Sequence, residues 1–243
     1  MIKNFVITLF WAFFGAPVFK AKAGDIPVFT RSVSGEVVSL EIASPAGTIT
    51  LLETAGPQEV TYQQTEGVPN DVAFMVVQKG EKLTVTVRRM HRDAEVRGDL
   101  TISLNKVSKA SVELGEGVTT SSMPVETLDV KQGAGQMVLS KVSKTLKVDM
   151  GAGTVDIKDL AGDLQLNLGV GSGSCRCVET KTKPTLSVQA GSGTFKVFLP
   201  ATATVSWNEL FHLKTKSDFP NTSGGTYTLQ QEMGAGALEI LKA

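Results

Sequence analysis

Apolar and polar residues alternate through most of this chain, and a Gly-x-Gly pair recurs within the alternation. In LKVDMGAGTVDI, Leu146, Val148 and Met150 alternate with polar residues before the glycines, and Val155 and Ile157 resume the alternation after them. A period of two marks a strand with one buried face, so the unit reads strand, turn, strand. It recurs as LDVKQGAGQMVL from Leu128, LQLNLGVGSGSCRC from Leu164, LSVQAGSGTFKV from Leu186 and LQQEMGAGALEI from Leu229. Gly133 to Gly151 spans 18 residues, Gly151 to Gly171 spans 20, and Gly171 to Gly191 spans 20.

One such unit buries too little apolar area to offset the entropy of ordering it, so units must stack. The prediction is an all-β, right-handed parallel β-solenoid of about 18–20 residues per coil. Its inward ladders are Leu128, Leu146, Leu164, Leu186 and Met137, Val155, Cys175, Phe195. The glycines supply positive φ at the corners. Outside, Asp129 falls over Lys147, Lys131 over Asp149, and Asp156 beside Arg176, a pattern that favours this register because stacked like charges are unfavourable.

Upstream the pattern loosens. SLEIASPAGTITLL from Ser39 repeats the unit around Gly47, but the segments at Glu59, Ala73, Lys82 and Asp99 are plain alternations joined by turns. Residues 24–105 therefore read as a less regular N-terminal β cap, partly antiparallel, and residues 106–243 as the regular coils. The period breaks again over 202–226, an insertion carrying Trp207, Phe211 and Phe219. These aromatics either cover the end of the apolar interior or form a patch for a partner.

The first residues bear on compartment. Lys3 precedes an apolar run from Phe5 to Phe14, and Ala21-Lys22-Ala23 places small residues at the positions a signal peptidase requires. Residues 1–23 are read as a signal peptide cut before Gly24, the run being short for a membrane span. The expected location is the periplasm or the cell surface. Without residues 1–23 the chain keeps 21 bases against 24 acids, so it lacks the basic footprint of a nucleic-acid binder.

The recurrent strand-GxG-strand units at Leu128, Leu146, Leu164, Leu186 and Leu229, behind a signal segment, resemble the putative adhesin family of exported bacterial β-solenoids, including the GIN head domain. The resemblance covers the chain from about Val107 onward and implies a fold, with no catalytic residue to carry over. The 18-residue step is also similar to that of the filament-forming bactofilins.

Motifs for chemistry are weak. LGVGSGS at Leu168 has the look of a phosphate-binding loop but no helix follows it, and its place is that of the other corners. Cys175 and Cys177 are the two cysteines, too close in sequence for an easy bridge along a strand, and read as buried free thiols. His91 and His212 lie in unrelated segments, which disfavours a zinc site. Asp149, Asp156, Asp159 and Asp163 are the carboxylates that a polysaccharide-cleaving β-helix would use; the simpler reading is a solvated charged face. The expectation is a non-enzymatic, cofactor-free envelope or surface module whose partner is an envelope component, a glycan or a protein. A carbohydrate-active enzyme and a self-assembling scaffold are the alternatives.

Overall fold

The computed structural model describes residues 28–68, 71–180, 182–208 and 214–243; they contain fourteen strands and no α-helix. The signal segment, Phe211 and His212 lie outside them.

Seven strands are long: β2 (Ser39–Glu53), β7 (Val107–Ser121), β8 (Val125–Ser140), β9 (Val142–Leu160), β10 (Asp163–Cys177), β11 (Thr185–Leu199) and β14 (Tyr227–Lys242). They pair in parallel in that order within one sheet. Each Gly-x-Gly sits in the middle of a strand, so the expected pair of short strands is one long strand bent at the glycines.

The bend dictates the glycines in two ways. The second of each pair in β7 to β11 has positive φ, from 125° at Gly135 to 154° at Gly171, as does Gly47 at 119°, a region L side chains avoid. Both also lie against the preceding strand: a Cβ on Gly153 would come within 1.9 Å of the Gly135 carbonyl oxygen, and one on Gly151 within 2.5 Å of Gly133 O. The corner is therefore a double ladder of glycines, extending upstream to Gly47, which pairs with Gly117.

The rung Leu128, Leu146, Leu164, Leu186 forms as predicted and continues to Leu229, with all five buried. The second predicted ladder is corrected. Met137 pairs with Val155, but Val155 then pairs with Gly173, and Gly173 with Phe195. Cys175 belongs one inward step later, between Ile157 and Val197. Gly173 leaves room that Phe195 takes, since a Cβ there would lie 2.9 Å from the phenyl ring. The glycine intervals change accordingly: Gly151 stacks on Gly169, and Gly171 on Gly193, so the steps from Gly133 are 18, 18 and 22.

Outside, Asp129 pairs with Lys147 and Lys131 with Asp149. Asp156 does not meet Arg176. It pairs with Ser174, whose hydroxyl donates to its carboxylate at 2.8 Å, while Arg176 lies over the Phe198 ring.

At the N-terminal end, two strands share β2. β5 (Lys82–Arg89) pairs with its first half and β6 (Arg97–Leu104) with its second, both in parallel. β3 (Glu59–Glu66) adds to β6, β1 (Val28–Ser32) to β3, and β4 (Val72–Lys79) to β5, all antiparallel. Phe29, Tyr62 and Phe74 stack there, with Tyr62 and Phe74 centroids 5.3 Å apart. Across β1, β3, β6, β2 and β7 this pairing aligns Thr30, Thr61, Thr101, Thr50 and Thr120 in one outward row, a regularity that dissimilar sequence spacings conceal. At the other end, β12 (Val205–Asn208) and β13 (Lys214–Ser217) pair in parallel with β14.

Candidate functional site

Because every long strand bends at the same place, side chains just before the bend form rows that cross the whole stack. The outward row contains Glu113, Lys131, Asp149, Asn167, Gln189 and Glu232, each paired with the next. Beneath it run buried residues that anchor the corner, among them Leu114, Gln132, Met150 and Leu168. Beside it runs the first glycine ladder, Gly115, Gly133, Gly151, Gly169, Gly191 and Gly234. Together these rows line an open groove of about 1120 Å³, bordered toward the N-terminal end by Thr86, Val87, Arg88 and Arg89 of β5.

The polar wall is partly tied to itself. Asn167 Nδ2 donates to Asp149 Oδ1, and Gln189 Nε2 donates to Glu232 Oε2 at 3.1 Å. Asp149 also lies 4.0 Å from Lys147 of its own strand. Asn167 Oδ1 is shielded from solvent and accepts no hydrogen bond among the described residues. Arg88 and Arg89 are exposed and make no ion pair among the described residues. Past the glycines, beside the groove, runs a ledge of small residues: Ala134, Ala152, Val170, Ser192 and Ala235 share one row, and Val170 is 60% exposed.

One buried polar group shapes the corner. Gln132 donates to the carbonyls of Gly117 and Ala134 at 2.8 and 2.9 Å, and its Oε1 accepts from the Thr119 hydroxyl at 2.8 Å. A buried amide is tolerated because its polar atoms are satisfied.

The four candidate aspartates are not brought together. Asp149 sits in the groove wall, Asp156 beyond the bend beside Ser174 and Lys158, Asp159 at a left-handed turn with φ 54°, and Asp163 accepting the Thr185 amide. They occupy separate places, so no pair is poised to protonate and attack the same bond. Cys175 and Cys177 are buried free thiols with sulfurs 3.8 Å apart. The Cys177 thiol and burial together push the Cys175 thiol well above its ordinary range, which keeps it protonated and unreactive. His91 lies 3.7 Å from Asp71, and no cluster of metal-ligating side chains occurs among the described residues.

Of the aromatic insertion, Phe219 is buried, with Lys242 Nζ 5.6 Å from its ring centre. Trp207 is half-buried against the same core, its backbone amide donating to Asn221 Oδ1. The groove itself escaped sequence reading; the signal that could have found it is the recurrence of Lys, Asp, Asn, Gln and Glu two residues before the first glycine of each pair.

No family model and no curated protein matches the chain. Among solved structures, a putative adhesin from Bacteroides fragilis is 13% identical, covering 88% of this chain and 97% of its own, with a TM-score of 0.47. The chain is similar to structures described as putative adhesins. A putative cell adhesion protein from Clostridium sporogenes is 14% identical over 90% of this chain and 100% of its own, with a TM-score of 0.41. A putative lipid binding protein from Parabacteroides distasonis is 9% identical over 89% and 96%, with a TM-score of 0.40.

Proposed function

We propose that this chain is an exported, non-enzymatic recognition module, adhesin-like in role, that holds an extended partner along its groove at the cell envelope or surface. In this reading residues 1–23 are a cleaved signal peptide and residues 24–105 a β cap. Residues 106–243 form a right-handed parallel solenoid whose 202–226 insertion, with Trp207 and Phe219, closes the far end. The observation that carries it is the continuous groove crossing seven parallel strands, its wall polar and its floor glycine. A rigid array of equivalent positions suits many weak contacts with one long partner, whose effects multiply when they are linked.

The test compares sedimentation of the purified mature protein with isolated envelope fractions. Placing arginine on both sides of the groove, Val170→Arg with Gln189→Arg, is expected to abolish co-sedimentation while Trp207→Ala preserves it. Retained binding in the first variant and loss in the second would move the partner site to the aromatic insertion and overturn the groove reading.

A further inference from the structure

Resting on that reading, we infer that the groove's ligand is a linear, neutral, hydroxyl-rich polysaccharide whose rings lie on the glycine floor, between the Asp149–Asn167–Gln189–Glu232 wall and the Ala152–Val170 ledge.

Charge narrows the class first. Glu113, Asp149 and Glu232 oppose a polyanion, while Lys131, Arg88 and Arg89 oppose a polycation. Three acids and three bases line the groove, the bases gathered toward its N-terminal end and two amides separating the last two acids, so the groove as a whole carries no uniform field that would select a uniformly charged chain. A peptide entering by strand addition would need unpaired backbone edges, but the groove runs across strands that already pair with neighbours on both sides.

Hydrogen-bonding chemistry then points the same way. Side-chain amides and carboxylates are planar groups that can each engage neighbouring hydroxyls. Asp149 and Glu232 each give one oxygen to an amide on the adjacent strand, which fixes their planes; the second oxygen of Glu232 is left as an acceptor, while that of Asp149 lies 4.0 Å from Lys147 Nζ. Asn167 lines the groove with the amide that it also gives to Asp149, its Oδ1 being shielded from solvent.

The opposite side has the complementary character. Sugar rings are polar at their edges and apolar on their C–H faces. The ledge of Ala134, Ala152, Val170 and Ala235, interrupted by Ser192, offers mostly apolar surface beside the glycines, with Val170 60% exposed. The glycine floor carries no side chain to hold a flat ring away. From Glu113 to Glu232 the wall crosses six strands at a spacing of roughly 4.8 Å, room for several consecutive sugar units, so affinity should grow with chain length.

Isothermal titration of the mature protein with linear neutral oligosaccharides tests this, using cello-, manno- and xylo-oligosaccharides from disaccharide to hexasaccharide, with alginate as the anionic comparator. At least one series is expected to bind with affinity rising about tenfold or more from disaccharide to hexasaccharide, and alginate to bind more weakly. Asn167→Ala and Gln189→Ala should each weaken the hexasaccharide about fivefold. Val170→Asp, which alters only the ledge, should weaken it comparably with an unchanged far-ultraviolet spectrum and thermal midpoint. Absence of binding by every series, affinity independent of length, tighter binding of alginate, or variants that bind as the parent does would each overturn the inference. If the arginine-blocked variant loses envelope binding while no oligosaccharide binds, the ligand class fails and the recognition reading stands. If envelope binding survives the block, both fail.

Discussion

At the residue scale the glycines of the corner are fixed by two independent constraints, and the constraints separate experimentally. Gly153 has φ 138° and faces the Gly135 carbonyl at a distance no Cβ could accept, whereas Gly35 has φ 74° with open space around it. Alanine at Gly35 meets only the backbone preference, about 1 kcal/mol. Alanine at Gly153 must in addition push two paired strands apart, so its cost should exceed about 2 kcal/mol. Urea denaturation of the two variants checks the ordering, and equal losses would show that close approach contributes nothing. The sequence made positive φ at the corner legible because glycines recur there; the packing requirement was hidden, since it depends on which carbonyl lies opposite.

At the scale of elements, neighbouring strands communicate through the inside of the bend. Gln132 of β8 and Thr119 of β7 hydrogen-bond to each other, in rows otherwise filled by Leu114, Met150 and Leu168 on one side and Ile49 and Met137 on the other. Gln132→Leu leaves the Thr119 hydroxyl buried without its partner, and Thr119→Val does the same to Gln132 Oε1. Each should cost about 1–3 kcal/mol. The double variant restores apolar rows on both sides, so its loss should fall short of the sum by about 1 kcal/mol or more; strict additivity in a denaturant cycle would refute the coupling. How far sequence reading reached is clearest in β10. LGVGSGS contains three glycines, and aligning its last pair with the corner displaced Cys175 by two residues. A shift of two preserves which face a strand residue takes, so the burial of Cys175 was legible although its rung neighbours were not. The N-terminal rung was less legible still: β5 and β6 divide between them the place that one bent strand fills elsewhere. The groove was hidden for another reason, because no local motif defines it and its wall draws one residue from each strand.

For the whole molecule, the two tyrosines of the chain stand near opposite ends of the stack. Tyr62 lies in β3 among Phe29 and Phe74, and Tyr227 begins β14, donating its hydroxyl to the Val178 carbonyl at 2.8 Å. Burial, with a smaller contribution from Asp99, raises the Tyr62 phenol to about 12; burial foremost, with smaller contributions from nearby acidic groups, raises Tyr227 to about 12. Both therefore keep their protons in the folded state at a pH where the unfolded chain, with ordinary phenols near 10, releases them. The stability at stake is fully present below pH 10 and is lost as pH rises through about 12. Near-ultraviolet absorbance should show no tyrosinate until that window, and a midpoint near 10 in folded protein would show that neither end is closed. The single variants then resolve the ends. The Tyr62 hydroxyl is buried without a hydrogen-bond partner among the described residues, so Tyr62→Phe should be neutral or stabilising, while Tyr227→Phe loses a bond worth about 1 kcal/mol. A stack held together by contacts between successive strands is able to open from one end. If it does so at high pH, the phenol remaining in one variant will ionise before that in the other; if the long rungs bind the stack into one cooperative unit, the two will ionise together with loss of the far-ultraviolet strand signal.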